Sequence, residues 1–275
     1  MRTIYICTDS VPGIYSGIYD AWKQAVVNRQ EGCGIALKGQ VEQELFCEYT
    51  EVEEDLKKAA AVDRLIWKNM GERARRDFSY ALLSEDPEKG NAVLGTMFAA
   101  RTIADSQKIM EHLSHPMVEK VFELSRAVGG EAHNFKGFLR FRELENGVLY
   151  AAIRPRARVL PCLAPHFQDR LPGENWMIHD QRHGQYVIHE AGKNWVMVQQ
   201  EPEGKNREGR GDAEEEFLTQ VSDAERQYAR LWRGFCRAIS IEERRNPACQ
   251  LQHLPFRYRD GMTEFLAEEF PGVVR

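Results

Sequence analysis

The chain lacks closely spaced cysteines: Cys7, Cys33, Cys47, Cys162, Cys236 and Cys249 are scattered, with no CxxC pair and no CxxxCxxC set. This excludes a zinc ribbon and a cysteine-held iron-sulfur cluster, and it reads as reduced intracellular thiols. Long apolar runs are also missing. None approaches the ~20 residues of a membrane span, and no basic segment with an apolar core opens the sequence, so the expectation is a soluble, cytoplasmic protein without a membrane partner. The turn Asp9-Ser10-Val11-Pro12-Gly13 has neither GxGxxG nor GxxxxGK[ST], which argues against a phosphate-cradling loop. Overall basicity is absent as well. With a formal net charge of −5, any polyanion-binding surface has to come from segregated cations.

Segregation is visible. Glu42, Glu44, Glu48, Glu51, Glu53, Glu54 and Asp55 fall in one stretch without a base, whereas Glu225 to Arg259 holds eight arginines against Glu225, Glu242 and Glu243. The 43% hydrophobic content supports a substantial core in one large or two moderate domains, read here as 1–128 and 129–275. Thr3 to Cys7 predicts a strand, and Ile14, Ile18, Trp22 and Val26 predict the helix that covers it. Leu56, Ala60 and Ile66, then Ala74, Phe78, Ala81 and Leu82, then Val93, Leu94, Met97, Phe98 and Ile103 mark successive helical segments. Ser114-His115-Pro116 predicts a further helix start, with the Ser114 hydroxyl as its cap.

From Gly130 a helix-like start passes into alternation: Phe138, Arg140 and Arg142 interleave with Leu139 and Phe141, which predicts a strand. Asn146-Gly147 then predicts a hairpin turn, with Val148 to Pro155 as the partner strand. Arg158-Val159-Leu160 and Asn175 to Asp180 read as a third and a fourth strand. The expected fold class is α+β: a small, mostly antiparallel sheet over about residues 135–198, a helical N-terminal half and a C-terminal amphipathic helix. Gln199 to Asp212 is polar and rich in breakers, so a surface loop is expected there.

In that last helix Phe217, Val221, Ala224, Tyr228, Leu231, Trp232, Phe235 and Ile239 form the apolar face. Arg226, Arg230, Arg233 and Arg237 form a stripe nearly opposite, at ~100° per residue. Such a stripe suits a polyanion, or a solvated face relieved by acids from elsewhere in the fold. The closing segment, Arg244 to Tyr258, mixes cations, amides and aromatic rings between Pro247 and Pro255. That mixture suits phosphate contacts with base stacking, or a packed C-terminal strap.

The motifs His133-x-x-Lys136-x-Phe138-x-Arg140-Phe141, Pro165-His166-Phe167 with Arg170, and Trp176-x-Ile178-x-Asp180 resemble those of a bacterial family of DNA-metabolism or DNA-repair proteins. Leu231-Trp232, Arg245-Asn246-Pro247 and Leu254-Pro255-x-Arg257-Tyr258 extend the resemblance. In that family the gene commonly sits beside a radical-SAM protein similar to spore photoproduct lyase, and the domain also occurs fused to a domain like uracil-DNA glycosylase. The resemblance implies DNA as a partner and a separate radical-SAM protein as another. It implies no cofactor in this chain, which has neither a radical-SAM cysteine triplet nor GxDPY-type or HPSP-type glycosylase motifs.

The expected nucleic-acid contacts are Lys136, Arg140, Arg142, Arg170, Arg182, Arg230, Arg233, Arg237, Arg245, Asn246, Arg257 and Tyr258. Arginine supplies bidentate and lysine point-charge contacts to phosphate. Among the aromatic residues, Phe141 and Trp176 are expected in the core. A hydrolytic alternative pairs His133 or His166, as general base, with Asp180 as the orienting acid. No metal site is expected, because Cys162, His166, His179, His183 and His189 lack ligand spacing. Three functions follow: a DNA-binding accessory protein, a DNA-processing enzyme that is a hydrolase or glycosylase-like, and a protein-interaction scaffold docked through the acidic stretch.

Overall fold

A computed structural model describes residues 2–27, 32–41, 45–199, 220–259 and 261–265. Glu42, Glu44, the 200–212 segment and Phe217 lie outside them. The chain divides into two compact units, Met1–Gly130 and Glu131–Arg275.

In the first unit, strand β1 (Arg2–Cys7) is the centre of a three-stranded parallel sheet, flanked by β2 (Cys33–Leu37) and β3 (Cys47–Glu51). Helix α1 (Val11–Trp22) follows β1 as the four-residue spacing predicts, and the Ser10 hydroxyl caps it by accepting from Gly13 N at 2.9 Å. Gly17 lets α1 approach β1, since a Cβ there would stand 2.1 Å from Cys7 Sγ. The two expected segments between Leu56 and Leu82 are one element, α2 (Leu56–Leu82), bent at Gly71, whose φ of 82° is a left-handed backbone that glycine adopts without steric cost.

The buried row of α2 is Ala59, Val62, Ile66 and Met70, one turn position away from the expected Leu56 and Ala60, which face solvent. With α3 (Lys89–Ala100) and a 3₁₀ turn (Ser106–Glu111), these residues close a core around Ile14, Ile18, Phe78, Met97 and Ile109. Helix α4 (Pro116–Phe138) starts at Pro116 as expected. The ring that meets its first turn belongs to His115, whose Nδ1 accepts from Met117 N at 3.2 Å.

The second unit departs from the expected meander. α4 continues through Phe138, so His133, Lys136 and Phe138 are helical, and only Arg142–Glu143 of the alternating stretch is a strand, β4. β5 (Leu149–Ile153) pairs with it antiparallel across a turn in which Gly147 has φ 78°. In place of the expected third strand, Arg158 and Val159 lead into helix α5 (Leu160–Arg170), with Pro161 in its first turn, where no backbone donor is needed, and Pro165 inside.

Because α5 is a crossover, β6 (Trp176–Asp180) returns parallel to β5. β7 (Gln185–His189) and β8 (Val196–Gln199) then add antiparallel, giving a mixed sheet in the order β4-β5-β6-β7-β8. The fold is α+β with a parallel three-stranded sheet and this mixed five-stranded one, rather than a single mostly antiparallel sheet. Leu160, Leu163 and Phe167 of α5 are buried, as are Trp176, Ile178 and Val187 of the sheet. Of the two residues expected in the core, Trp176 is fully buried, and Phe141, half-buried, meets Phe167 edge to face and contacts Trp176.

Helix α6 (Asp223–Ala238) begins at Ser222, whose hydroxyl accepts from Glu225 N. Short helix α7 (Pro247–His253) begins at Asn246. On α6 both faces meet solvent: Tyr228, Leu231, Trp232 and Phe235 are 46% to 69% exposed. No helix among the described residues is long and apolar enough to cross a membrane.

Candidate functional site

Strand alternation builds one face of the site. Ala152 stands opposite His179 and Tyr150 opposite Met177, so Tyr150, Ala152 and Arg154 share a face with Met177, His179 and Gln181. On the neighbouring strand Arg142 stands directly opposite Tyr150. The other face carries Trp176, Ile178 and Asp180 into the core.

A cavity of about 430 Å³ lies within this second unit. The end of α4 contributes Phe135, Phe138, Leu139 and Arg140; the sheet contributes Arg142, Tyr150, Arg154, His179 and Gln181; the C-terminal segment contributes Arg257 and Tyr258. Four arginines line it, and among the described residues no carboxylate does.

Each guanidinium is held differently. Arg140 donates to the carbonyls of Gly137 and Leu139 at 2.9 and 3.2 Å, satisfying acceptors that the end of α4 leaves open. Arg154 donates through Nε to Gln181 Oε1 at 2.8 Å. Arg142 has no hydrogen-bond or ion-pair partner among the described residues. Arg257 donates to the Tyr258 hydroxyl at 2.6 Å, lies over the Tyr258 ring and pairs with Glu131 at 3.4 Å. Glu131 is buried and also accepts from the backbone N–H groups of Arg156 and Ala157 at 3.0 and 2.9 Å. Three partners therefore converge on one carboxylate. A guanidinium has five donors, so Arg140, Arg142 and Arg154 keep donors for an anion.

Aromatic rings form the rest of the wall. Tyr258 is buried, packed edge-on against Phe135 with centroids 4.9 Å apart and beside Phe138 at 5.6 Å. Its hydroxyl also meets Asn134 Nδ2 at 3.2 Å. Tyr150 and Phe138 are half-buried and offer ring surface to the cavity. The Tyr150 hydroxyl lies 3.1 Å from His179 Nδ1, and His179 stacks on Tyr186 at 4.0 Å.

Burial pushes the His179 imidazole below its ordinary value, with Asp180 opposing. Burial also lowers His166, with Lys136 and Arg170 adding to the effect and Asp169 opposing. Both folded-state values fall below the unfolded value of about 6.5, so both rings prefer to be neutral in the fold. The sign follows: their contribution to stability is complete above about pH 6.5 and is lost as pH falls through the folded values. The urea midpoint is therefore expected to be lower at pH 5 than at pH 7, and His179→Gln should make that drop shallower. An equal drop in the variant would remove His179 from the account.

Of the residues expected to touch nucleic acid, Arg140, Arg142, Arg257 and Tyr258 come together in the cavity. Lys136 and Arg170 cluster instead around His166. Arg182 is exposed at the β6–β7 turn; Arg230, Arg233 and Arg237 lie on α6; Arg245 precedes α7. None of these lines the cavity. Asn246 caps α7, accepting from Cys249 N at 3.0 Å. Asp180 is buried and serves the β6–β7 turn, accepting from Arg182 N and His183 N and meeting His183 Nδ1 at 2.6 Å. Its imidazole partner is thus His183 rather than His133, exposed on α4, or His166, on α5.

The residues that sequence reasoning passed over are Glu131, Tyr150, Arg154, His179 as a pocket residue, and Gln181. Tyr150 and Arg154 lie four positions apart on one face of a strand-like alternation, a signal that could have found them. Among the described residues no group of three His, Cys, Asp or Glu side chains is placed to hold a metal ion.

No curated protein and no solved structure matches this chain. One family model does match, over residues 87–264, which takes in the end of the first unit and every residue lining the cavity. The chain belongs to the family DUF4130, a domain of unknown function.

Proposed function

We propose that this chain is a DNA-binding component of a bacterial DNA-repair or DNA-metabolism system, and that the arginine-lined cavity is where it grips the strand. One observation carries this reading: four guanidinium groups and four aromatic residues, Phe135, Phe138, Tyr150 and Tyr258, line a single cavity, with no carboxylate among the described lining residues. Guanidinium matches phosphate bidentately, and rings give unstacked bases a surface. In a molecule of net charge −5, such a concentration of cations marks where an anion is wanted. The repair context and a separate radical-SAM partner rest on the motif resemblance alone.

A second reading, a DNA-processing enzyme, is favoured by the Tyr150 and His179 pair. A phenol 3.1 Å from a neutral imidazole is within proton-transfer reach at the wall of the same cavity. Turnover of an oligonucleotide by the isolated chain separates the two readings.

The test is salt-dependent binding. Affinity for a fluorescein-labelled single-stranded oligonucleotide should fall linearly in log K against log [salt], by about 0.7 per neutralised phosphate. With two or three phosphates engaged, the slope is about −1.4 to −2.1. A slope near zero, or no binding at low salt, removes the proposed function.

A further inference from the structure

We infer that the cavity takes one unstacked nucleotide, with its phosphate on the arginines and its base against the half-buried rings. This rests on the DNA-binding reading and narrows it to a substrate class: a single nucleotide swung out of the stack, or free in solution.

Size sets the first limit. At about 430 Å³ the cavity falls near the lower end of the ~300–1,000 Å³ of small-ligand sites, room for one nucleotide and not for stacked neighbours. The wall chemistry sets the second. Stacked duplex DNA presents phosphates and base edges, which would leave ring faces in the cavity without a partner. A base out of the stack brings a π-face, and aromatic side chains bind such faces with little regard to sequence.

Of the lining rings, Phe138 and Tyr150 are half-buried, whereas Phe135 and Tyr258 are buried among their neighbours. Polar groups complete the site. Gln181, whose Oε1 is held by Arg154, and the Tyr150–His179 pair stand on the same sheet face as Arg142. They are positioned to meet a base edge while Arg142 and Arg154 meet the phosphate. Inorganic phosphate would leave the rings unused, and a nucleoside would leave the guanidinium groups without their anion.

The experiment is competition on the full chain. Thymidine 5′-monophosphate, inorganic phosphate and thymidine are each titrated against a bound fluorescein-labelled single-stranded oligonucleotide, and direct binding of the monophosphate is followed by calorimetry. The monophosphate should bind at least about tenfold more tightly than either fragment, since it satisfies both halves of the site. Phe138→Leu, which keeps apolar volume and removes the ring, should weaken it about tenfold. Arg154→Gln, at an exposed position that leaves the fold intact, should do the same. Arg230→Ala on α6 should leave it unchanged.

The outcomes are distinguishable. Oligonucleotide binding with a monophosphate no better than phosphate overturns the one-nucleotide site and leaves the DNA-binding reading standing. Monophosphate binding without oligonucleotide binding supports a site for the free nucleotide and ends the DNA-binding reading. Failure of both ends both.

Discussion

An Arg142→Ala, Arg154→Ala double variant is expected to bind a single-stranded oligonucleotide roughly a hundredfold more weakly, about tenfold for each charge-assisted hydrogen bond removed. Neither residue holds the fold together. Arg142 has no partner among the described residues, and Arg154 spends one donor on the exposed Gln181. Removing them leaves the Glu131 ion pair and the aromatic wall in place. The salt slope should flatten by about 0.7 for each phosphate that is no longer neutralised. The weakening should be similar for all base sequences, because phosphate recognition carries no sequence information. The measurement is anisotropy of a labelled oligonucleotide at several salt concentrations. If Arg230→Ala, Arg233→Ala on α6 weakens binding more, the binding surface is the helix and not the cavity.

Glu131→Ala should damage the second unit strongly, lowering unfolding stability by about 3 kcal/mol. The carboxylate is 6% exposed and accepts from two backbone N–H groups as well as pairing with Arg257. Its removal leaves the Arg156 and Ala157 donors without an acceptor and one guanidinium without its counter-charge. A buried donor stripped of its partner costs about 1–3 kcal/mol, so the buried Ala157 N–H carries most of the effect, with the partly buried Arg156 N–H adding to it and the half-exposed Arg257 adding little. Glu131→Gln keeps one acceptor and should forfeit only part of this. Urea unfolding followed by tryptophan fluorescence reads the change, because Trp176 is fully buried in the same unit. Equal midpoints for wild type and Glu131→Ala would contradict the assigned role.

Arg154 and Glu131 also mark the two ends of what the sequence makes legible. Arg154 lies in Val148 to Pro155, where the turn at Asn146-Gly147 and the apolar alternation mark a strand; β5 is there, and so is β6 at Trp176 to Asp180. β1 and α1 are legible for the same reason, a clean change of period from two to about four. The pairing of β5 with β6 is hidden by α5. Val159-Leu160 before Pro161 looks like a short strand, and Pro165 removes a donor that a helix would use. Burial of Leu160, Leu163, Ala164 and Phe167 outweighs that missing bond. Once the segment is a crossover helix, parallel pairing follows; taken as a strand, it implies a meander.

The cavity is half legible. Arg140, Arg142, Arg257 and Tyr258 carry chemistry that draws the eye, but alternation alone does not say which sheet face meets the end of α4, so Tyr150, His179 and Gln181 stay in the background. Glu131 gives no signal at all: one acid in a helix says nothing until its three partners are seen. The arginines of α6 are legible as a stripe but not as a site. Their spacing is regular, yet the helix exposes its apolar face as well, so regular spacing does not identify the side that meets the rest of the unit.

The most direct test is a photo-crosslink from a single-stranded oligonucleotide carrying 5-iodouracil, mapped by peptide mass spectrometry. Adducts are expected on Phe138 or Tyr150, suppressed by excess thymidine 5′-monophosphate. Adducts confined to Tyr228, Trp232 or Phe235 of α6, and indifferent to the mononucleotide, would contradict this expectation.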